Sequence, residues 1–362
     1  MTSNPTALRR RLPASARPLS GVAEGFFVHA PSSKVHQVAA LCAGDQIGAI
    51  YTVPRGSSRI AKLAETLATH RSIAGDSTVM ADPQLYAGKN RMPASAALEI
   101  DWIRHQWDHG LPWALTDSGY VERDAIDDLR ALFASGEQIA RRVSGNFLLA
   151  VPADFRWVSE RPEELRDLVE SYGIPVAYMF GASGDPLGRK RAVEGLLHLL
   201  ASPVPSTLLR TDLSAVGALA AGAPLAAMGT SSSLRHIFPP KSGGPGRLMH
   251  PSAMLPNGLS LHRIDVLARA IALTPDEVHW RCDCDHCLGA RLDNIIDGDQ
   301  AFIHNVYSAC DLVRHVLAGG VKDALASWAA MCRNAQFVHL DIDSSTQNWN
   351  YPTFHGAWRE VA

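Results

Sequence analysis

Short, almost wholly apolar runs recur along this chain, each ending in a polar residue or a glycine. They are Ile47–Val53, Thr78–Ala81, Pro112–Leu115, Asn146–Val151, Pro175–Phe180, Thr207–Leu209 and Leu225–Met228. Between them lie segments with helical periodicity, over Ser57–Thr69, Glu122–Ser135, Pro162–Tyr172 and Gly188–Ala201. A run too short for a helix and apolar on both faces predicts a strand covered on both sides, the condition of a parallel sheet. Seven or eight such strand–helix units predict a (β/α)₈ barrel of the TIM type, with a doubly wound open sheet as the alternative. No Gly-x-Gly-x-x-Gly follows any of these strands, so nothing points to a dinucleotide.

The pattern weakens towards both ends. Residues 1–20, rich in Pro, Ser and Arg, predict a flexible N-terminus. The stretch Pro239–Pro256 reads as a long loop, Leu261–Ala272 as a helix and Asp299–Leu317 as a second helix. An apolar stretch, Phe337–Leu340, stays unassigned. The barrel is therefore expected over residues 21–272, with a separate C-terminal unit over 273–362.

Composition narrows the classes. With 362 residues, 46% of them hydrophobic, the chain can bury a large core. A net charge of −2 gives no global basic field for non-specific nucleic-acid binding. The clusters Arg9–Arg11 and Arg189–Arg191 read as solvated segments. The chain has six cysteines but no disulfide framework, which points to a reducing, cytoplasmic setting. No signal-peptide-like stretch and no run of about 18 apolar residues is present, so no membrane span is expected.

Half of the cysteines fall in one heptapeptide, Arg281-Cys-Asp-Cys-Asp-His-Cys287. Cys282, Cys284 and Cys287 suit three thiolates wrapped round one zinc ion. For the fourth ligand His304 is favoured and His315 stands as the alternative, since His286, inside the loop, would strain a closed tetrahedron. A Cys₃His site has no open position for water, so the expected zinc is structural.

The strand ends carry other candidates: Asp82, the Thr116-Asp117-Ser118-Gly119 segment, Asp154, Thr211-Asp212 and Gly229-Thr230-Ser231. In a barrel these converge on the face where active sites sit. Gly229, Ser231 and Arg235 could hold a phosphate, and Arg210 could bind phosphate or pair with an aspartate. Trp102, Trp107, Trp113 and Trp157 read as core or rim residues rather than platforms for bases.

The cysteine motif, the Ile303-His304-Asn305 tripeptide and Leu115-Thr-Asp-Ser-Gly119 together resemble the tRNA-guanine transglycosylases. The resemblance implies a barrel with a C-terminal zinc subdomain that exchanges guanine in nucleic acid, DNA or tRNA, for a 7-deazaguanine base of the queuosine type. It also implies a homodimer. Such exchange needs a carboxylate to attack the anomeric carbon and a second group to manage protons on the bases. Asp212 is the expected nucleophile and Asp82 its proton-transfer partner. The resemblance itself carries over Asp117 as general base, and the two assignments compete. Asp154 is assigned to the base edge. The family's Gly-Gly-Leu loop and its Asp-Cys-Val-Met-Pro-Thr-Arg segment are absent, which places the chain in a divergent branch, with the paralogues that modify DNA as the nearest expectation. Two further readings are a catalytically silent barrel that binds nucleic acid or a protein partner, and a zinc hydrolase built on His236, His250 and His262.

Overall fold

In a computed structural model the described residues are 18–45, 47–56, 58–240, 250–346 and 349–361. The first basic cluster and positions 241–249 of the expected loop lie outside them.

Eight parallel strands form one nearly closed barrel: β1 (Phe26–Pro31), β2 (Gly48–Thr52), β3 (Val79–Asp82), β4 (Ala114–Leu115), β5 (Phe147–Asp154), β6 (Val176–Gly181), β7 (Ser206–Thr211) and β8 (Ala226–Gly229). The ladder runs β3-β2-β1-β8-β7-β6-β5-β4, and its two ends, β3 and β4, lie side by side. The order closes β8 onto β1, as a barrel requires and an open doubly wound sheet does not.

Strand alternation sorts the core into two shells. Phe27, Ile50, Met80, Leu115, Leu148, Ala177, Met179, Leu209 and Ala227 pack together inside the barrel. Their neighbours, among them Val28, Tyr51, Val79, Leu149, Tyr178 and Leu208, pack outwards against the helices. This explains why the runs look apolar throughout. The helices follow from local chemistry as well. Pro162–Tyr172 opens with proline in its first turn beside Glu163 and Glu164, which suit the helix N-terminus. It ends at Gly173, whose φ of 65° lies in the left-handed region.

The seven apolar runs correspond to β2 through β8. The remaining strand, β1, contains His29, which interrupts its apolar run. The expected helix over Leu261–Ala272 is corrected at its start. Residues Ser252–Leu255 (β9) and Ser260–Arg263 (β10) form an antiparallel hairpin round Pro256–Leu259, and the helix begins at Ile264. The hairpin also shortens the expected loop, which ends before Ser252.

The hairpin, the helix Ile264–Leu273 and the cysteine segment share a small core of their own, including Leu255, Leu267, Ile271, Trp280 and Trp349. The helix Gly298–Leu317 then packs Val306, Ala309, Val313 and Val316 into the barrel's outer shell. The long helix Val321–Thr346, which contains Phe337–Leu340, and Phe354–Arg359 also lie against the barrel, through Trp328 and Trp358. Among the described residues no helix is long and apolar enough to cross a membrane.

Gly195 tests this packing. Helix propensity alone favours alanine over an interior glycine by about 1 kcal/mol. A Cβ at Gly195, however, would sit 1.7 Å from the Val158 carbonyl oxygen. Gly195→Ala should therefore destabilise the chain, by about 1–3 kcal/mol in urea denaturation, and a gain in stability would contradict the packing.

Candidate active site and metal centre

Polar side chains collect at the C-terminal ends of the barrel strands. Asp82, the last residue of β3, accepts the Gln84 N–H through Oδ1 at 2.8 Å and the Tyr86 hydroxyl through Oδ2. His29 Nε2 lies 3.0 Å from the same Oδ2, and both side chains are completely buried. Arg210 joins them from β7. The register shift between Leu208 and Thr211 accompanies a φ of 49° at Arg210, a conformation costly for a residue with a side chain. Its guanidinium donates to Tyr86 Oη at 3.3 Å and to the backbone carbonyls of Ser233 and His236.

Burial by itself would raise the Asp82 pKa, but His29, Arg210 and Tyr86 more than offset it and hold the carboxyl below its usual range. Burial lowers the pKa of His29, against the pull of Asp82. The cluster is thus a carboxylate, a guanidinium and a neutral imidazole. His29 Nδ1 has no partner among the described residues.

A second cluster follows β6, β7 and β8. Asp212 accepts the Ser214 N–H at 2.9 Å, an aspartate turn that leads into the helix Ser214–Ala220. Asp185 accepts the Leu187 N–H at 2.9 Å, while its Oδ2 is buried without a partner among the described residues. Burial and the charge of Asp212 push Asp185 up to about 8. Burial raises Asp212 too, against the Ser214 N–H and the Arg235 charge. At neutral pH the pair therefore holds a proton. Burial brings Arg235 down to about 10, so it remains a cation.

The third group lies on β4 and β5. Thr116 Oγ1 accepts the Ala150 N–H at 2.8 Å, stitching β4 to β5 beyond the short ladder. Gly119 is required by packing, since a Cβ there would meet the Pro93 carbonyl at 2.0 Å. Asp117 accepts the Glu99 N–H at 3.1 Å and has Arg59 Nη1 3.8 Å from Oδ2. Burial, together with the Glu99 charge, pushes it up to about 6. Asp154 accepts the Arg156 N–H at 3.0 Å and pairs in register with Gly181, against which Tyr120 packs.

The sequence-derived candidates thus separate. Asp82 and Arg210 share one cluster, Asp212 and Arg235 another, and Asp117 and Asp154 stand on the β4–β5 side. Arg210 pairs with the Asp82 cluster. Gly229 lies beneath the Leu234 carbonyl, with no room for a Cβ. Three residues escaped the sequence reading: His29, Tyr86 and Asp185. A histidine inside an apolar strand run was the available signal for the first. The four tryptophans act structurally, each donating its indole N–H to a backbone carbonyl.

Cys282, Cys284, Cys287 and His304 form the one group among the described residues able to hold a metal ion, with ligand atoms all within 4.8 Å of one another. His304 Nδ1 lies 3.7, 3.6 and 3.2 Å from the three sulfurs in turn. A tetrahedron with metal–sulfur and metal–nitrogen bonds of ordinary length has edges of about 3.5 Å. The sulfurs are placed by a tight knuckle in which Cys287 and Leu288 N–H donate to the Cys284 carbonyl and Gly289 N–H to that of Cys282. His304 Nε2–H donates to the Met254 carbonyl at 2.8 Å, which leaves Nδ1 free for a metal. The neighbouring Asn305 clamps the same strand, accepting the Met254 N–H and donating to Ser252 O, both at 2.7 Å. His315 and His286 are not in the group, and His236, His250 and His262 form none of their own among the described residues.

No protein-family model matches this chain, and no curated protein matches it either. Solved structures of barrel enzymes show remote likeness. A 3-hexulose-6-phosphate synthase is 15% identical, with 57% of this chain and 90% of that one covered and a TM-score of 0.35. The carboxyl transferase domain of Rhizobium etli pyruvate carboxylase is 12% identical, covering 98% and 62%, with a TM-score of 0.38. Tryptophan synthase from M. tuberculosis is 18% identical, covering 58% and 84%, with a TM-score of 0.31. No residue role is carried over from likeness at this level.

The Cys₃His group makes a direct prediction if it holds a metal ion. Chelation, or Cys284→Ser, should open the small core of β9, β10 and Trp280 while the barrel persists. The lobe should lose at least about 5 kcal/mol. Limited proteolysis with metal analysis reads this, and unchanged protection in metal-free protein would refute it.

Proposed function

We propose that this barrel is a base-exchange transglycosylase that replaces a guanine in nucleic acid by a 7-deazaguanine, with a structural zinc in its Cys₃His lobe. The observation that carries the reading is the half-buried carboxylate pair Asp185–Asp212 beyond β6 and β7, in which Asp185 Oδ2 has no partner among the described residues and which retains a proton near neutrality. Retaining exchange at an anomeric carbon asks for such a pair. The ionised member attacks the anomeric carbon as the base leaves. The protonated member gives its proton to the departing nitrogen, and the incoming base then displaces the carboxylate and returns a proton. Asp212 is the nucleophile in this scheme and Asp185 its acid. Asp117, held near 6, suits proton exchange with the base, and the Leu115–Gly119 segment supports the same assignment. The Asp82 cluster shapes the inner mouth.

Zinc fits the lobe because three thiolates and one imidazole at tetrahedral spacing suit that ion and leave no position for substrate. A second reading, a barrel that binds nucleic acid without catalysis, is favoured by the closure of the inner mouth. His29, Asp82, Tyr86 and Arg210 are all 4% exposed or less.

A base-exchange assay separates the two. Zinc-loaded protein is incubated with labelled 7-deazaguanine and either duplex DNA or tRNA. Label should enter one polymer, fall below detection in Asp212→Ala, and drop by about 10²–10⁴-fold in Asp117→Asn. The rate should rise with pH through about 6 as Asp117 ionises and fall through about 8 as the carboxylate pair loses its proton. Binding without incorporation, in folded and metal-loaded protein, would replace the first reading by the second.

A further inference from the structure

A cleft of about 450 Å³ opens where the barrel meets the metal-binding lobe. One wall is the loop after β8, with Thr230, Ser231, Ser232 and Arg235. The facing wall includes Ser252 and the start of the helix Gly298–Leu317. None of the catalytic steps above uses it.

Its charges are arranged unequally. On one side Lys34 pairs with Asp299 at 2.7 Å, so that ammonium is already balanced. Arg235 has no such partner. It forms no ion pair or side-chain hydrogen bond among the described residues, and its Nε is buried without an acceptor. The rest of the side chain is half-buried and faces the cleft, so the one donor that has lost water without gaining an acceptor is Nε, which carries a cost. Asp212 is its electrostatic neighbour without contacting it at ion-pair distance.

We propose that this cleft binds a phosphoryl group, with Arg235 as the principal anion-binding side chain. A tetrahedral oxyanion can accept from the guanidinium fork on one side and from hydroxyls on another. Ser231 and Ser232 supply hydroxyls at the same lip, with Ser231 Oγ 3.0 Å from Ser233 Oγ. The volume is ample for a phosphate and the sugar that carries it. The position, after the last barrel strand, is one from which backbone and side-chain donors point across the barrel mouth. A nucleic-acid backbone and a small phosphate ester present the same oxygens, and both fit the site. The site stands independently of base exchange.

Binding, rather than turnover, tests it. Metal-loaded full-length protein is titrated calorimetrically with inorganic phosphate, ribose 5-phosphate and a single-stranded oligothymidylate at constant ionic strength. Arg235→Gln should weaken binding by about tenfold or more, as loss of a charge-assisted fork requires. Ser231→Ala, a milder change at the half-buried lip, should weaken it a few-fold and serves if Arg235→Gln proves unstable. Tighter, Arg235-dependent binding of the sugar phosphate assigns the site to a small ester, and of the oligonucleotide to a polymer backbone. If wild-type protein binds none of the three, or if neither substitution changes the affinity, the proposal fails.

Discussion

A carboxylate taken out of water must find donors or keep a proton, and the upper face of this barrel is organised by that constraint. Asp82 takes the first course, with Tyr86, His29 and Arg210 gathered round it. Asp185 and Asp212 take the second, with too few donors for two charges. One backbone device serves both. Asp82, Asp154, Asp185 and Asp212 each accept, at Oδ1, the backbone N–H two residues on. The bond that turns the chain also fixes the carboxylate, and the second oxygen is left for other partners. Four aspartates held alike, three at strand ends and Asp185 in the loop after β6, thus differ chemically through what reaches Oδ2.

The metal-binding lobe depends on one helix that serves two cores. Gly298–Leu317 gives Val306, Val313 and Val316 to the barrel and His304 to the cysteines. His304 and Asn305 sit where the two meet, and both hold β9 by its backbone. The Ile-His-Asn tripeptide is therefore more than a ligand with neighbours. Histidine orients its own ring by donating to Met254, and asparagine fixes the carbonyl and N–H that flank that contact.

Much of this was legible locally. Strands buried on both faces announce themselves as apolar runs, and β2 through β8 were found that way. The group able to hold a metal is legible because three of its members share one loop and the fourth lies in the second turn of the next helix. What escaped did so for related reasons. A polar residue on the inner row of a barrel strand breaks the periodicity by which the strand is found, so β1 and His29 escape together. Asp185 precedes a proline in a Gly-rich loop, where aspartate ordinarily means a turn. The strand β10 has only four residues and passes straight into a helix, so Leu261 joined the helical pattern. The hydrogen bond from His304 to Met254 spans 50 positions, and no local pattern encodes it.

The two halves of the molecule meet at the cleft beside Arg235. Its barrel wall is set by Gly229, where the Leu234 carbonyl leaves no space for a side chain. Its other wall includes Ser252 and Asn305, and the position of both follows from the strand that His304 grips. Ligands that fix His304 therefore also fix the width of the cleft, although they lie in a separate core. A closed metal site of this kind does no chemistry, yet it removes freedom from the strand that a ligand in the cleft would otherwise have to order. The Cys₃His group and Arg235 are then parts of one arrangement, the first holding still the wall that faces the second.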